Sequence, residues 1–181
     1  MDFRIERIKQ MLLLLQKVKI RKRQQLLQWQ FAACDYKTDN RIPSCGEQEF
    51  GEYERWGRTP EQHAWFLRHV QVPEDWTHGD IRINLRTGFE GDNNPRIPQF
   101  IAYIDGQMEQ GLDGNHTELY LGTRRDVDLA LYAYSGMDGV SFEFHAELQC
   151  SYPQRFVQDF CTAHPSIQSQ HSYNHAGVAE L

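Results

Sequence analysis

From residue 64 onward, apolar and polar positions alternate in short runs broken by Gly, Pro, Asn and Asp. Residues 80–87 are the clearest case, with Ile81, Ile83 and Leu85 on one face, the period of a strand with one buried side. Further strands are predicted at 64–72, 99–112, 118–121, 127–134 and 140–148. Within 99–112, Asp105-Gly106 sits between alternating apolar positions and predicts a two-residue hairpin, because a type I′ turn needs positive φ at both central residues. Strands this short, joined by turns and not by helices, mean an antiparallel β-sandwich of jelly-roll, galactose-binding-like form. The missing β–α alternation, and the lack of a Gly-rich loop before a helix, exclude a dinucleotide-binding fold.

The first residues follow another period. Ile5, Ile8, Met11, Leu12, Leu15, Val18, Leu26 and Trp29 recur at three- and four-residue steps and predict one amphipathic helix over 2–29. The chain then divides into an N-terminal helical arm at 1–31, a connector at 32–63, the sandwich at 64–149 and an irregular tail at 150–181. In the connector the turn signals Asp39-Asn40, Pro43-Ser44 and Cys45-Gly46 break the pattern, and Tyr53 and Trp56 are candidate plugs against the core.

Charge changes the picture of the arm. Residues 1–31 carry eight basic against two acidic side chains, on a chain of net charge −6. A basic arm on an acidic body predicts docking onto an acidic surface, its own or a sister subunit's. The apolar run at 11–15 is far short of the roughly 20 residues that span a bilayer, and it leads straight into Lys17, Lys19 and Arg21-Lys22-Arg23. No membrane or nucleic-acid partner is expected. Cys34, Cys45, Cys150 and Cys161 are read as reduced thiols of a cytoplasmic protein.

Candidate chemistry is sparse. His78-Gly79-Asp80 has a metal-ligand form but lies on a turn without a second His nearby. Cys150, Cys161, His164, His171 and His175 match no familiar zinc spacing, so no metal is assigned. Ser135 lacks the Gly-x-Ser-x-Gly elbow of a nucleophile and reads as a turn serine. Glu90, Asp92, Asp113 and Glu118 are carboxylates of the type that glycoside hydrolysis uses in pairs, with nothing in the sequence to pair them. A sugar-binding surface would draw on an aromatic platform and polar loop groups, here Trp76, Asp113, Asn115 and His116.

Residues 65–148 carry a family resemblance. The pieces are Trp65-Phe66 before Val72-Pro73-Glu74-Asp75-Trp76, Arg86-Thr87-Gly88-Phe89-Glu90-Gly91 before Asp92-Asn93-Asn94-Pro95, and Gln99 to Gly106. Gln110-Gly111-Leu112-Asp113-Gly114-Asn115-His116-Thr117-Glu118 and Leu131-Tyr132-Ala133-Tyr134-Ser135-Gly136 complete the set. In this order they resemble the N-terminal non-catalytic domain of bacterial and cytosolic-type α-mannosidases, glycoside hydrolase family 38. The resemblance implies a parent enzyme that removes terminal α-mannose with zinc and an aspartate nucleophile, both held in a domain C-terminal to the sandwich. No catalytic residue, cofactor or turnover is then expected of this chain, which reads as a fragment with a structural or assembly role. Its expected partners are the catalytic domain or sister subunits of a homo-oligomer. The alternative is a stand-alone carbohydrate-binding module for mannose-containing glycans.

Overall fold

The computed structural model describes residues 7, 10, 19–36, 41–51, 54–77, 79–87, 98–137 and 142–152. They form eleven strands: β1 (Ile20–Gln25), β2 (Trp29–Cys34), β3 (Gln48–Phe50), β4 (Arg55–Trp56), β5 (His63–Gln71), β6 (Asp80–Thr87), β7 (Gln99–Ile104), β8 (Gln107–Leu112), β9 (Glu118–Gly122), β10 (Asp126–Tyr134) and β11 (Phe142–Ser151). One sheet runs β1-β11-β6-β9, with β4 paired to the start of β11, and the other runs β3-β2-β5-β10-β7-β8. Every pairing among the described residues is antiparallel.

Alternation along each strand builds the core between the sheets. Ile81, Ile83 and Leu85 of β6 and Leu148 of β11 face Val127, Leu129 and Leu131 of β10, all nearly inaccessible and all in one cluster. Burying each such aliphatic side chain contributes about 1.5–3 kcal/mol. One end of the core is aromatic. Phe66 meets Phe31, Phe50 and Trp56 at ring separations of 5.1–5.4 Å, each edge to face, the geometry that aromatic quadrupoles favour.

The hairpin forms as predicted. Asp105 and Gly106 adopt φ of 51° and 78°, and Ile104 pairs with Gln107 across the turn. Asp105 also ties the turn to β10: its N–H donates to the Asp128 carbonyl, and its carboxylate accepts from the Asp128 N–H, each at 2.9 Å.

The N-terminal helix predicted over 2–29 needs correction. Residues Ile20–Gln25 and Trp29–Cys34 are strands, in different sheets. Of residues 1–18 only Arg7 and Gln10 are described, both in helical conformation. Leu26 and Trp29 do reach the core, but from the corner where the chain crosses between sheets, with Gln28 at φ 62°. Pairing with β11 satisfies the backbone of residues 20–25, a tertiary gain that overrides a local helical pattern. Their basic side chains dock onto the chain's own body. Lys22 pairs with Asp75, Arg23 lies 3.8 Å from Glu147, and the Arg21 guanidinium sits over the Tyr152 ring.

The stretch read as a connector contributes the end of β2 and all of β3 and β4. Trp56 is the core plug expected there, and Tyr53 lies outside the described residues. Strand β11 continues to Ser151, past the expected limit at 149, and residues 153–181 lie outside the described residues. No helix among the described residues is long and apolar enough to cross a membrane.

Candidate functional site

The four side chains selected from the sequence do not form one surface of rings and polar groups. Trp76 is 6% exposed and belongs to the core cluster, so its ring is packing surface and offers no open face. Asp113, Asn115 and His116 do share the corner between β8 and β9, but the corner is closed on itself. One Asp113 carboxylate oxygen accepts the N–H groups of Asn115 and His116 at 2.8 Å each and lies 3.0 Å from His116 Nδ1. The His116 and Asn115 N–H groups hold the Asp113 carboxyl below its usual pKa. This is an Asx turn that shapes the loop.

Ser135 is likewise part of the local structure. Ser135 is fully buried; its hydroxyl accepts the Gln62 N–H at 2.9 Å and leans on the Thr59 carbonyl, pinning the 59–62 loop. His78, Glu90, Asp92, Cys161, His164, His171 and His175 lie outside the described residues. Among the described residues no group of three or more His, Cys, Asp or Glu side chains is placed to hold a metal ion.

What the fold does assemble is an aromatic strip on the outer face of the six-stranded sheet. Residues 63, 65 and 67 of β5 point away from the core, as do 130, 132 and 134 of β10, and the two strands pair His63 with Tyr134 and Trp65 with Tyr132. From the buried end the rings run Tyr103, Trp65, Tyr132, His63, Tyr134, in steps of 4.9–5.6 Å. Tyr36, just beyond β2, adds a ring 5.5 Å from His63. Trp65 and Tyr132 are buried in a second apolar cluster, whereas Tyr134 is half-buried and Tyr36 is 69% exposed. The strip is rigid at one end and open at the other.

Its open end lies in a groove of about 1020 Å³ whose lining includes residues 57–62 and the end of β2. Asp35, Glu61, Gln99 and Arg58 supply polar groups around the rings. The Tyr132 hydroxyl and His63 Nδ1 share a 2.9 Å hydrogen bond. Burial lowers the His63 pKa, against the opposing pull of Glu61 and Asp35. Burial thus favours the neutral imidazole, another flat ring with a polar edge. Rigid ring faces beside hydroxyl, amide and carboxylate groups suit a ligand with both apolar faces and polar rims.

Sequence reasoning singled out neither His63 nor Tyr36. Tyr132 and Tyr134 were visible as part of a strand and of the family resemblance, without a role as a binding surface. The available signal was the alternation itself, which puts Tyr132 and Tyr134 on one face of β10.

No family model and no curated protein matches the chain. Among solved structures, a β-glucuronidase from an uncultured Clostridium species is similar at TM-score 0.48 and 10% identity, over 74% of this chain and 30% of that one. Two structures of the β-glucuronidase from Ruminococcus gnavus, with N1-substituted uronic isofagomine and with D-glucaro 1,5-lactone, are similar at TM-score 0.44 and 9% identity, over 73% of this chain. The match spans 30% of the length of each.

Proposed function

We propose that this chain is a non-catalytic, carbohydrate-binding β-sandwich associated with a glycoside hydrolase. The observation that carries the proposal is the ring strip in which His63 is stacked on Tyr134 at 4.9 Å and tilted against Tyr36 at 5.5 Å, opening into a groove rimmed by carboxylate and amide groups. Sugars present apolar C–H faces to flat rings and hydroxyl edges to such groups. Preorganised rings lose little entropy on binding, so most of the contact energy is retained. Calorimetric titration with mannose-terminated oligosaccharides tests this. Binding that weakens roughly fivefold or more in Tyr134→Ala is the expected result. No binding to any saccharide would end the proposal.

A second, finer reading is that the sandwich is the N-terminal support of an α-mannosidase and contacts its catalytic domain or sister subunits. What supports it is the residue resemblance across 65–148, above all Gly111-Leu112-Asp113-Gly114-Asn115-His116. Zinc and the nucleophile would belong to the partner domain. This reading expects no saccharide affinity and no turnover of an aryl α-mannoside by this chain, and zinc-dependent turnover would overturn it.

A further inference from the structure

We infer that the groove selects neutral and amino sugars and rejects acidic ones, an inference that rests on the carbohydrate reading above. The charges lining it are lopsided. Asp35, Glu54 and Glu61 supply three carboxylates. Of the two guanidinium groups among the described lining residues, Arg55 is committed to Glu143, donating from Nη2 at 2.7 Å and from Nε at 3.1 Å, which leaves Arg58.

A uronic acid stacked on Tyr134 would bring a fourth carboxylate into this space, with Arg58 as its one candidate counter-charge among the described residues. Like-charge placement of this kind acts against the wrong ligand. Hydroxyls of a neutral sugar meet the opposite situation, because carboxylates are pure acceptors and the hydroxyl donates. An ammonium group on an amino sugar gains a charge-assisted bond from the same oxygens. His63 does little to redress the balance, since burial disfavours its protonated form. The rings supply the grip in every case, so charge decides between sugars of the same shape.

The test is calorimetric titration of the whole chain with three probes of matched length: a mannose trimer, a glucosamine trimer and a mannuronic acid trimer, each at low and high salt. At low salt the acidic trimer is expected to bind roughly fivefold or more weakly than the neutral one, and the amino trimer at least as tightly. High salt should narrow these gaps. In the double variant Asp35→Asn, Glu61→Gln, with folding checked by circular dichroism, the neutral-to-acidic ratio should fall toward one. Equal or tighter binding of the acidic trimer by the parent chain would overturn the inference and leave the carbohydrate reading standing, as would a ratio unchanged in the double variant. Failure of all three trimers to bind would overturn both.

Discussion

The His63 imidazole lies 4.9 Å from the Tyr134 ring at an interplanar angle of 23°, directly across the β5–β10 ladder. Burial there disfavours the protonated ring. His69, on the same face of β5 but fully exposed, lies within 3.2 Å of both Asp126 and Asp128. The Asp128 hydrogen bond foremost, then Asp126, raises its pKa. The two histidines therefore act on stability with opposite sign.

A histidine whose folded pKa is lowered contributes stability that is complete above its unfolded value, about 6.5, and is lost as pH falls below it. One whose folded pKa is raised contributes fully below the unfolded value, and that contribution is lost as pH rises through the raised value. Urea midpoints at about pH 7.5 and about pH 5.5 separate them. His63→Gln is expected to lose less stability on acidification than the parent chain, and His69→Gln more. Shifts of the same sign in both variants would contradict this assignment.

Arg82 makes a sharper stability prediction. Its side chain is only 2% exposed although β6 turns it away from the core, and its Nη1 lies 3.0 Å from a Glu118 oxygen that also accepts the Tyr120 hydroxyl. Its Nε donates to Gln149, whose amide in turn donates to Glu147. Removing the partner of a buried charge costs more than replacing the pair with apolar groups. Glu118→Ala is expected to cost about 3 kcal/mol, and adding Arg82→Met to it should recover part of that loss. A denaturant double-mutant cycle reads both numbers, and additive losses would show that the guanidinium does not depend on Glu118.

The strands and the hairpin were legible because their causes are local. Ile81, Ile83 and Leu85 carry their own period, and Asp105-Gly106 carries its own turn. The arm was not legible. Ile20–Gln25 is a strand because Gln149, Leu148 and Glu147 pair with it from the other end of the chain, and no local pattern reports such a partner. The site shared that fate. Tyr36, His63 and Tyr134 come from three segments, and only the order β2-β5-β10 brings their rings together. Asp113, Asn115 and His116 are close in sequence, and for that reason they satisfy one another.

Gly79 is a second place where segments far apart in the sequence meet. Its φ is +138°, and a Cβ there would collide with the Ser151 carbonyl oxygen and come within 2.7 Å of Cys150 Sγ. The obstructing oxygen is backbone of the central strand β11, held by pairing to both β1 and β6, so it cannot step aside. Gly79→Ala is expected to cost about 3 kcal/mol or more, from strained φ and collision together. At Gly51 a Cβ would meet nothing within 4 Å, and Gly51→Ala should stay within about 0.5 kcal/mol of the parent. Thermal unfolding of the two variants side by side measures the contrast, and equal midpoints would refute the close packing of β11 on residue 79.

The Asp105-Gly106 turn separates backbone conformation from hydrogen bonding. Gly106 at φ 78° has open space around the missing Cβ, so Gly106→Ala should cost only the left-handed strain, about 1 kcal/mol. Asp105 at φ 51° does two things, since it holds the turn and its carboxylate accepts the Asp128 N–H. Asn tolerates the left-handed region and keeps an acceptor oxygen, so Asp105→Asn should be nearly neutral. Asp105→Ala loses both, for about 2 kcal/mol. Amide exchange at Asp128 supplies the decisive reading. Protection at that N–H should drop in Asp105→Ala and persist in both Asp105→Asn and Gly106→Ala. Loss of protection in Gly106→Ala would mean that the turn backbone, and not the Asp105 carboxylate, anchors the hairpin to β10.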